Sequence, residues 1–328
     1  MPLSLRRGTV TAVVERREGL ARLEVDGEAC VAYPVVTGPV ALGDDVVVNV
    51  QARALGLGSG GFDVLYANLT RGLELPGEDG AHVMKLPYTP LQFALPHVEE
   101  TATAGAARLG GMPVVACSLH SQVAPVCAGL AGRRVVYVQL PGGALPVALS
   151  DALRLLRERG LIERTAAAGA CFGADVETVS VYSALAYAKE AGADAVVCAI
   201  GPGVVGTGTP LGHGGTAAAD AVAAAAALGG APILAVRVSE RDERPRQRGV
   251  SHHAETVLSL WGERCRAAWP VGCPIDPPDV GRLDPVDVDD WREACAGLPL
   301  ESMGRGADDD PWFFAAAFAA GRLARSLT

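Results

Sequence analysis

Five short apolar runs recur through the middle of the chain, at residues 113–117, 135–140, 165–170, 195–200 and 233–238. A strand with one wet face alternates apolar and polar residues. A strand apolar throughout must be covered on both faces, as in parallel sheets. Segments of helical character fall between and after the runs, at residues 122–131, 147–159, 177–191, 216–228 and 252–267, with another at 100–109 ahead of them. Strands alternating with helices predict an α/β fold, a doubly wound and mostly parallel sheet with helices on both faces. The strand order cannot be read from the pattern.

The part before this has another period. Residues 9–15, 20–25 and 29–33 alternate apolar and polar, and Asp26-Gly27 supplies a tight turn whose residues tolerate positive φ. Residues 46–50 and 64–69 read as further strands. Together they predict a small N-terminal β-barrel within residues 1–75, a structural or dimerising module, so a homo-oligomer is an open expectation. Residues 76–100 read as an extended tether, since Pro87 and Pro90 exclude a helix. Residues 101–328 then form the α/β ligand-binding domain. Its tail, 270–311, wraps the surface with a short helix near 288–296, and Asp310-Pro311 opens a final helix as N-cap and first residue.

In open α/β sheets, ligands bind beyond the carboxyl ends of the strands. The fourth run leads there into Gly-Pro-Gly-Val-Val-Gly-Thr-Gly-Thr-Pro-Leu-Gly-His-Gly-Gly, residues 201–215, followed by an alanine-rich helix. A strand, glycine loop and helix place backbone N–H groups around an anion. The loop holds a literal G-x-G-x-x-G at Gly201, Gly203 and Gly206, but it is too long for a dinucleotide turn, and Glu240 lies too far along for the ribose. Three readings stay open: a dinucleotide site, which fits least well, a phosphate or carboxylate site of another kind, and glycines that let two backbones pack closely. Four of the six histidines, His120, His213, His252 and His253, fall at predicted strand ends or in the loops after them.

From these positions His120, His213 and His252 are the candidate acid–base residues, because imidazole titrates near neutral pH. The candidate ligand-binding residues are Lys85, Ser121, Asp175, Gly201, Gly203, Gly206, Thr207, Gly208, Thr209, Gly215, Arg237 and His253. Lys85 stands out because the chain has only two lysines, and an ammonium can meet an anion as a point charge. The arginine-rich stretch after the fifth run is either a solvated mixed-charge loop or a clamp for a phosphate or carboxylate. Adjacent His120 and Ser121 seldom face each other, and no G-x-S-x-G elbow is present. A zinc or manganese site could draw on His120, His213, His252, His253 and Asp175, but no tight ligand spacing occurs, so metal and cofactor stay unassigned.

A net charge of −9 argues against nucleic acid or an anionic membrane as partner. No run of about 18 uncharged apolar residues predicts a membrane span, and the first residues carry no leader-like stretch. The eight cysteines contain no C-x-x-C pair, and with no export signal they are expected to be reduced thiols in a cytosol.

The stretch Val83-Met84-Lys85-Leu86-Pro87-Tyr88-Thr89-Pro90-Leu91-Gln92, the 201–215 loop, Ser251-His252-His253 and Met303-Gly304-Arg305-Gly306 together resemble a bacterial family defined only as a domain of unknown function (three-eight-six-six). The resemblance runs over nearly the whole chain. It implies a cytosolic bacterial protein and supplies no activity. A fainter similarity joins Gly206-Thr207-Gly208-Thr209 and the following helix to the selenocysteine-containing component of glycine and sarcosine reductases. Val205 stands where that component has its redox residue, so the similarity carries only the idea of an α/β ligand site. The sequence therefore leads to an enzyme acting on a small anionic metabolite, or alternatively to a non-catalytic ligand sensor or partner-binding protein.

Overall fold

A computed structural model describes residues 3–57, 60–101, 108–279 and 282–328. Contacts divide the chain into two units, Met1–Pro96 and His97–Thr328.

In the first unit, strands β1 (Leu5–Arg17), β2 (Leu20–Val25), β3 (Glu28–Ala32), β4 (Asp45–Asn49) and β5 (Asp63–Asn68) close a barrel in the order β1-β2-β3-β5-β4. Alternation sends Val10, Leu23, Val25, Val46, Val48 and Leu65 into its core. The β2–β3 turn is made by Asp26 and Gly27 at φ 52° and 83°, the pairing that matches strand twist in a two-residue hairpin. Single-turn helices α1 (Pro34–Thr37) and α2 (Gln51–Ala54) interrupt the strands. The extended stretch, read as a strand and tether, forms a hairpin, β6 (Val83–Lys85) with β7 (Phe93–Leu95). Both prolines sit in its connection, where no ladder N–H is needed.

The second unit is built on an eight-stranded, all-parallel sheet in the order β11-β10-β9-β12-β8-β13-β16-β17. Its strands, in chain order, are β8 (Pro113–Cys117), β9 (Val135–Leu140), β10 (Arg164–Ala168), β11 (Val176–Thr178), β12 (Ala195–Ile200) and β13 (Ala231–Ala235). A two-residue ribbon, β14 (Val238–Ser239) with β15 (Gly249–Val250), precedes the last two, β16 (Arg266–Pro270) and β17 (Leu283–Val286). Helices α3 (Val123–Gly129), α4 (Asp151–Glu158), α5 (Val181–Glu190), α6 (Ala217–Ala227), α7 (His252–Trp261), α8 (Trp291–Ala294) and α9 (Pro311–Arg325) cover both faces. Val115, Cys117, Tyr137, Val197 and Ile233 pack with α3 and α9, while Val114, Val136, Val138, Val196 and Cys198 pack with α5, α6 and α7. Two-sided burial is the reason these strands read as unbroken apolar runs.

Three sequence expectations change here. The helix expected to reach residue 267 stops at Trp261, capped by Gly262, and residues 266–270 enter the sheet. The tail contributes β17 as an edge strand rather than only wrapping the surface. The helix expected from 177 starts at Val181, because 176–178 pair with β10. The helix expected at 100–109 falls mostly outside the described residues.

Helices α3 and α9 touch backbone to backbone. A Cβ on Gly321 would lie 2.1 Å from the Val126 carbonyl oxygen, and one on Gly129 would lie 2.6 Å from that of Phe318. Alanine gains about 1 kcal/mol of helix propensity over glycine, but no rotamer relieves a clash with backbone. Gly321→Ala is therefore expected to lose about 1–3 kcal/mol by overpacking, read by urea unfolding. A variant as stable as the parent would refute this packing.

Candidate functional site

Neighbouring strands β9 and β12 connect away in opposite directions, β9 to β10 and β12 to β13. Their carboxyl ends, Leu140 and Ile200, pair with each other and open the crevice where such sheets bind ligands. The two loops that follow meet there. Ala144 N–H donates to Pro202 O at 2.9 Å, Val205 N–H to Gly142 O at 3.1 Å and Gly214 N–H to Val205 O at 2.7 Å. A Cβ on Gly201 would sit 2.1 Å from the Ala144 oxygen, and one on Gly214 would sit 1.9 Å from the Gly142 oxygen. At these positions glycine is needed for close packing. Gly203, Thr207, Gly208 and Thr209 lie on an exposed tip; Gly206, also exposed, packs on the His213 backbone, where a Cβ would come within 2.5 Å of His213 Cα. The Thr207 and Thr209 hydroxyls bond each other at 2.8 Å, and Thr207 Oγ1 donates to Gly212 O.

The loop ends in His213, which turns inward. It meets His252 and His253 from the first turn of α7. Ring centroids are 4.0 Å apart for His213–His253, 4.3 Å for His252–His253 and 5.0 Å for His213–His252. One ring nitrogen from each lies within 4.8 Å of the others. The three residues are only 5, 8 and 4 % exposed, in chain order. Ser251 caps α7 by accepting from His253 N–H, which aims both histidines at the loop. Gly215 lies under the cluster: a Cβ there would be 3.1 Å from His213 Nδ1 and 3.3 Å from His253 Nδ1.

Burial holds all three imidazoles below the usual histidine range, with His253 down at about 2. Burial dominates for His253, and the charges of His213 and Arg237 add to it. Each is therefore neutral at pH 7 and offers a lone pair. His252 Nδ1 donates to the Arg246 carbonyl at 3.2 Å, which leaves Nε2 as its acceptor. That Nε2, both nitrogens of His213 and Nδ1 of His253 are buried without a well-formed hydrogen bond. The Pro210 carbonyl is near His213 and favours its proton, but the contact does not reach hydrogen-bond geometry.

His120 stands at the same sheet edge, just past β8, and finds a partner the sequence did not suggest. Its Nε2 accepts from the Ser150 hydroxyl at 2.6 Å, and its Nδ1 donates to Ile200 O at 3.1 Å. Burial lowers its pKa to about 4. Ser150 also caps α4, accepting from Leu153 N–H. Ser121, the neighbour considered from sequence, bonds Ser302 instead.

The remaining candidates divide. Arg237 is buried, and its terminal nitrogens are engaged by Gln247, Ser251 and Asp242. Asp242 also takes Arg244 through both oxygens and Arg305 at 2.9 Å. Arg244 is the main reason the Asp242 carboxyl titrates far below the ordinary range, while burial lowers Arg237 to about 10. Asp310, expected as a cap, makes no cap bond. It accepts from Ser239, Glu240 N–H and Arg305. Arg246 differs from this group: its backbone carbonyl anchors His252, while its exposed guanidinium lies 3.5 Å from where a Gly208 Cβ would stand. Asp175 accepts from Thr165 N–H, at the amino end of β10, so it lies at the opposite edge from the histidines. Lys85 is a buried residue of β6 in the first unit.

A family model described as "Protein of unknown function (DUF3866)" matches residues 29–272. The chain belongs to this family. No curated protein matches it. The DUF3866 match takes in all four histidines, the glycine loop and the Arg237–Asp242 pair. It ends before Arg305, whose turn Met303-Gly304 (φ 54° and 74°) carries the arginine back to Asp242. Among the described residues no helix is long and apolar enough to cross a membrane, and all eight cysteines are free.

Proposed function

We propose that this protein is an enzyme acting on a small phosphate- or carboxylate-bearing metabolite at the carboxyl edge of its parallel sheet. The observation that carries the reading is the gathering of four neutral histidines at one edge, in a crevice where connections diverge. His120 accepts the Ser150 proton and is oriented through its other nitrogen by the Ile200 carbonyl, the arrangement of a base held in one tautomer. The loop that carries His213 reaches the same strand end, since a Cβ on Gly215 would lie 3.0 Å from Ser118 O, just past β8. The amino ends of α6 and α7 both begin here and favour negative charge. Three guanidiniums, Arg237, Arg244 and Arg305, against the two carboxylates Asp242 and Asp310 leave the neighbourhood positive. Arg246 is the arginine free to meet an anion over the glycine tip. The tip, residues 203–211, would have to swing aside to admit a substrate. Free thiols throughout support a cytosolic setting.

A thermal-shift screen of small phosphates and carboxylates finds the ligand. Arg246→Ala is then expected to weaken it by about tenfold or more, the worth of a charge-assisted hydrogen bond. Replacing His120, His213 and His252 together abolishes turnover. Unchanged affinity and turnover in that triple variant would end this reading. A non-catalytic sensor is the second reading, favoured by the closed loop contacts over the crevice; it predicts binding at Arg246 without turnover.

A further inference from the structure

Buried polar atoms in proteins are almost always hydrogen-bonded, and each one left unmade costs about 1–3 kcal/mol. Four such ring nitrogens lie together on His213, His252 and His253. A core histidine in a satisfied site explains none of them. One bound ion would answer three at once. The closure of the cluster points the same way: at 4–8 % exposure water does not readily satisfy these nitrogens. A cavity of about 470 Å³ in this unit lies elsewhere, lined by Leu258, Trp261, Arg264 and Asp279.

The detailed chemistry agrees. His252 is held through Nδ1 by a backbone carbonyl, the outer contact that fixes a metal-binding imidazole and presents its other nitrogen. Three nitrogens on one tetrahedral ion stand about 3.3 Å apart. The present spacing is up to 4.8 Å, and the His213 and His253 rings, stacked at 21°, must turn toward a common point for both lone pairs to address one ion. Gly215 leaves the space: any side chain there would wedge between His213 and His253.

We propose that His213, His252 and His253 bind one divalent transition-metal ion, zinc by preference, with a small anion in its fourth position. Three imidazoles with no carboxylate or thiolate among them exclude magnesium and calcium by softness and suit zinc, cobalt or nickel. Three protein ligands leave a coordination place open, the mark of a working rather than a structural site. The α7 amino end and Arg237 oppose a bare cation, and a negative fourth ligand offsets them. The metal site stands independently of the enzyme reading, whereas the anionic fourth ligand rests on it.

The test is a cobalt(II) titration of the full chain after chelation. One equivalent should bind with the intense visible bands of tetrahedral cobalt, and zinc should displace it. His213→Ala should weaken binding by about 100-fold, at or beyond the upper end of what outer-shell losses cause. His82→Gln, an exposed histidine, should bind as the parent does. Gly215→Ala is the second variant if His213→Ala fails to fold, and should weaken binding about tenfold. No tetrahedral bands, or equal binding by parent, His213→Ala and Gly215→Ala, overturns the site. Inorganic phosphate added to the cobalt form should shift the bands; unchanged bands overturn the anionic ligand. A metal-saturated protein with no turnover on any ligand found brings down the enzyme reading alone.

Discussion

Asp242→Asn is expected to destabilise the protein by about 3–5 kcal/mol, the cost of breaking a buried ion pair from one side. Asp242 is 1 % exposed and answers Arg237, which is equally buried, together with Arg244 and Arg305. An amide can offer one oxygen to these guanidiniums and carries no charge. Arg237 would stay buried beside Arg244 with its counter-charge gone. Arg244→Ala removes a half-exposed partner and should cost about 1 kcal/mol or less. Arg237→Met combined with Asp242→Asn should recover part of the loss, because no charge is then stranded. Urea unfolding of the four proteins reads all of this. An Asp242→Asn variant within about 1 kcal/mol of the parent would show the hub to be dispensable. The consequence reaches the site, since Arg237, Gln247 and Ser251 form the platform from which His252 and His253 project.

The second large effect is acid instability well above the carboxylate range. His120 is held at about 4 in the folded protein and returns to about 6.5 when unfolded. A group whose folded pKa is depressed stabilises the fold above its unfolded value and loses that contribution as pH falls toward its folded value. For His120 the window is pH 6.5 to 4, worth roughly 3–4 kcal/mol at about 1.4 kcal/mol per unit. His253, held at about 2, adds a loss that begins at the same upper limit and continues to lower pH. The two together approach half the stability of an ordinary domain. Urea unfolding in the presence of a chelator at pH 7.5, 6 and 5 should show the decline, and His120→Gln should flatten it. A curve level from pH 7.5 to 5 would contradict the neutral, buried state of these rings.

The sheet was legible because double burial leaves continuous apolar runs, and the barrel because alternation and Asp26-Gly27 mark its strands. The edges were not. Strands β11 and β17 are short, and β16 offers Arg266-Ala-Ala-Trp, whose arginine and alanines read as helix as readily as strand. What places it is pairing with β13 and an Arg266–Asp284 bridge to β17, neither visible locally. Asp310 before Pro311 has the form of a cap. Charge-assisted bonds to Arg305 and Ser239 outweigh the roughly 1 kcal/mol a cap supplies. For the site, histidines at strand ends signalled the right edge, but His213 and the His252–His253 pair are joined only by folding. Ser150 was missed because its pairing with His120 spans 30 residues and its local role is a helix cap. The motif around Arg305 was noticed without its reason, which is the reach to Asp242.

The account turns on His213, His252 and His253 being a ligand site and not merely core. Native mass spectrometry with elemental analysis tests this most directly, on the full chain equilibrated with zinc(II) and freed of excess. The account predicts one zinc per chain in the parent and none in His213→Ala. A parent chain at its metal-free mass, indistinguishable from His213→Ala, would contradict it.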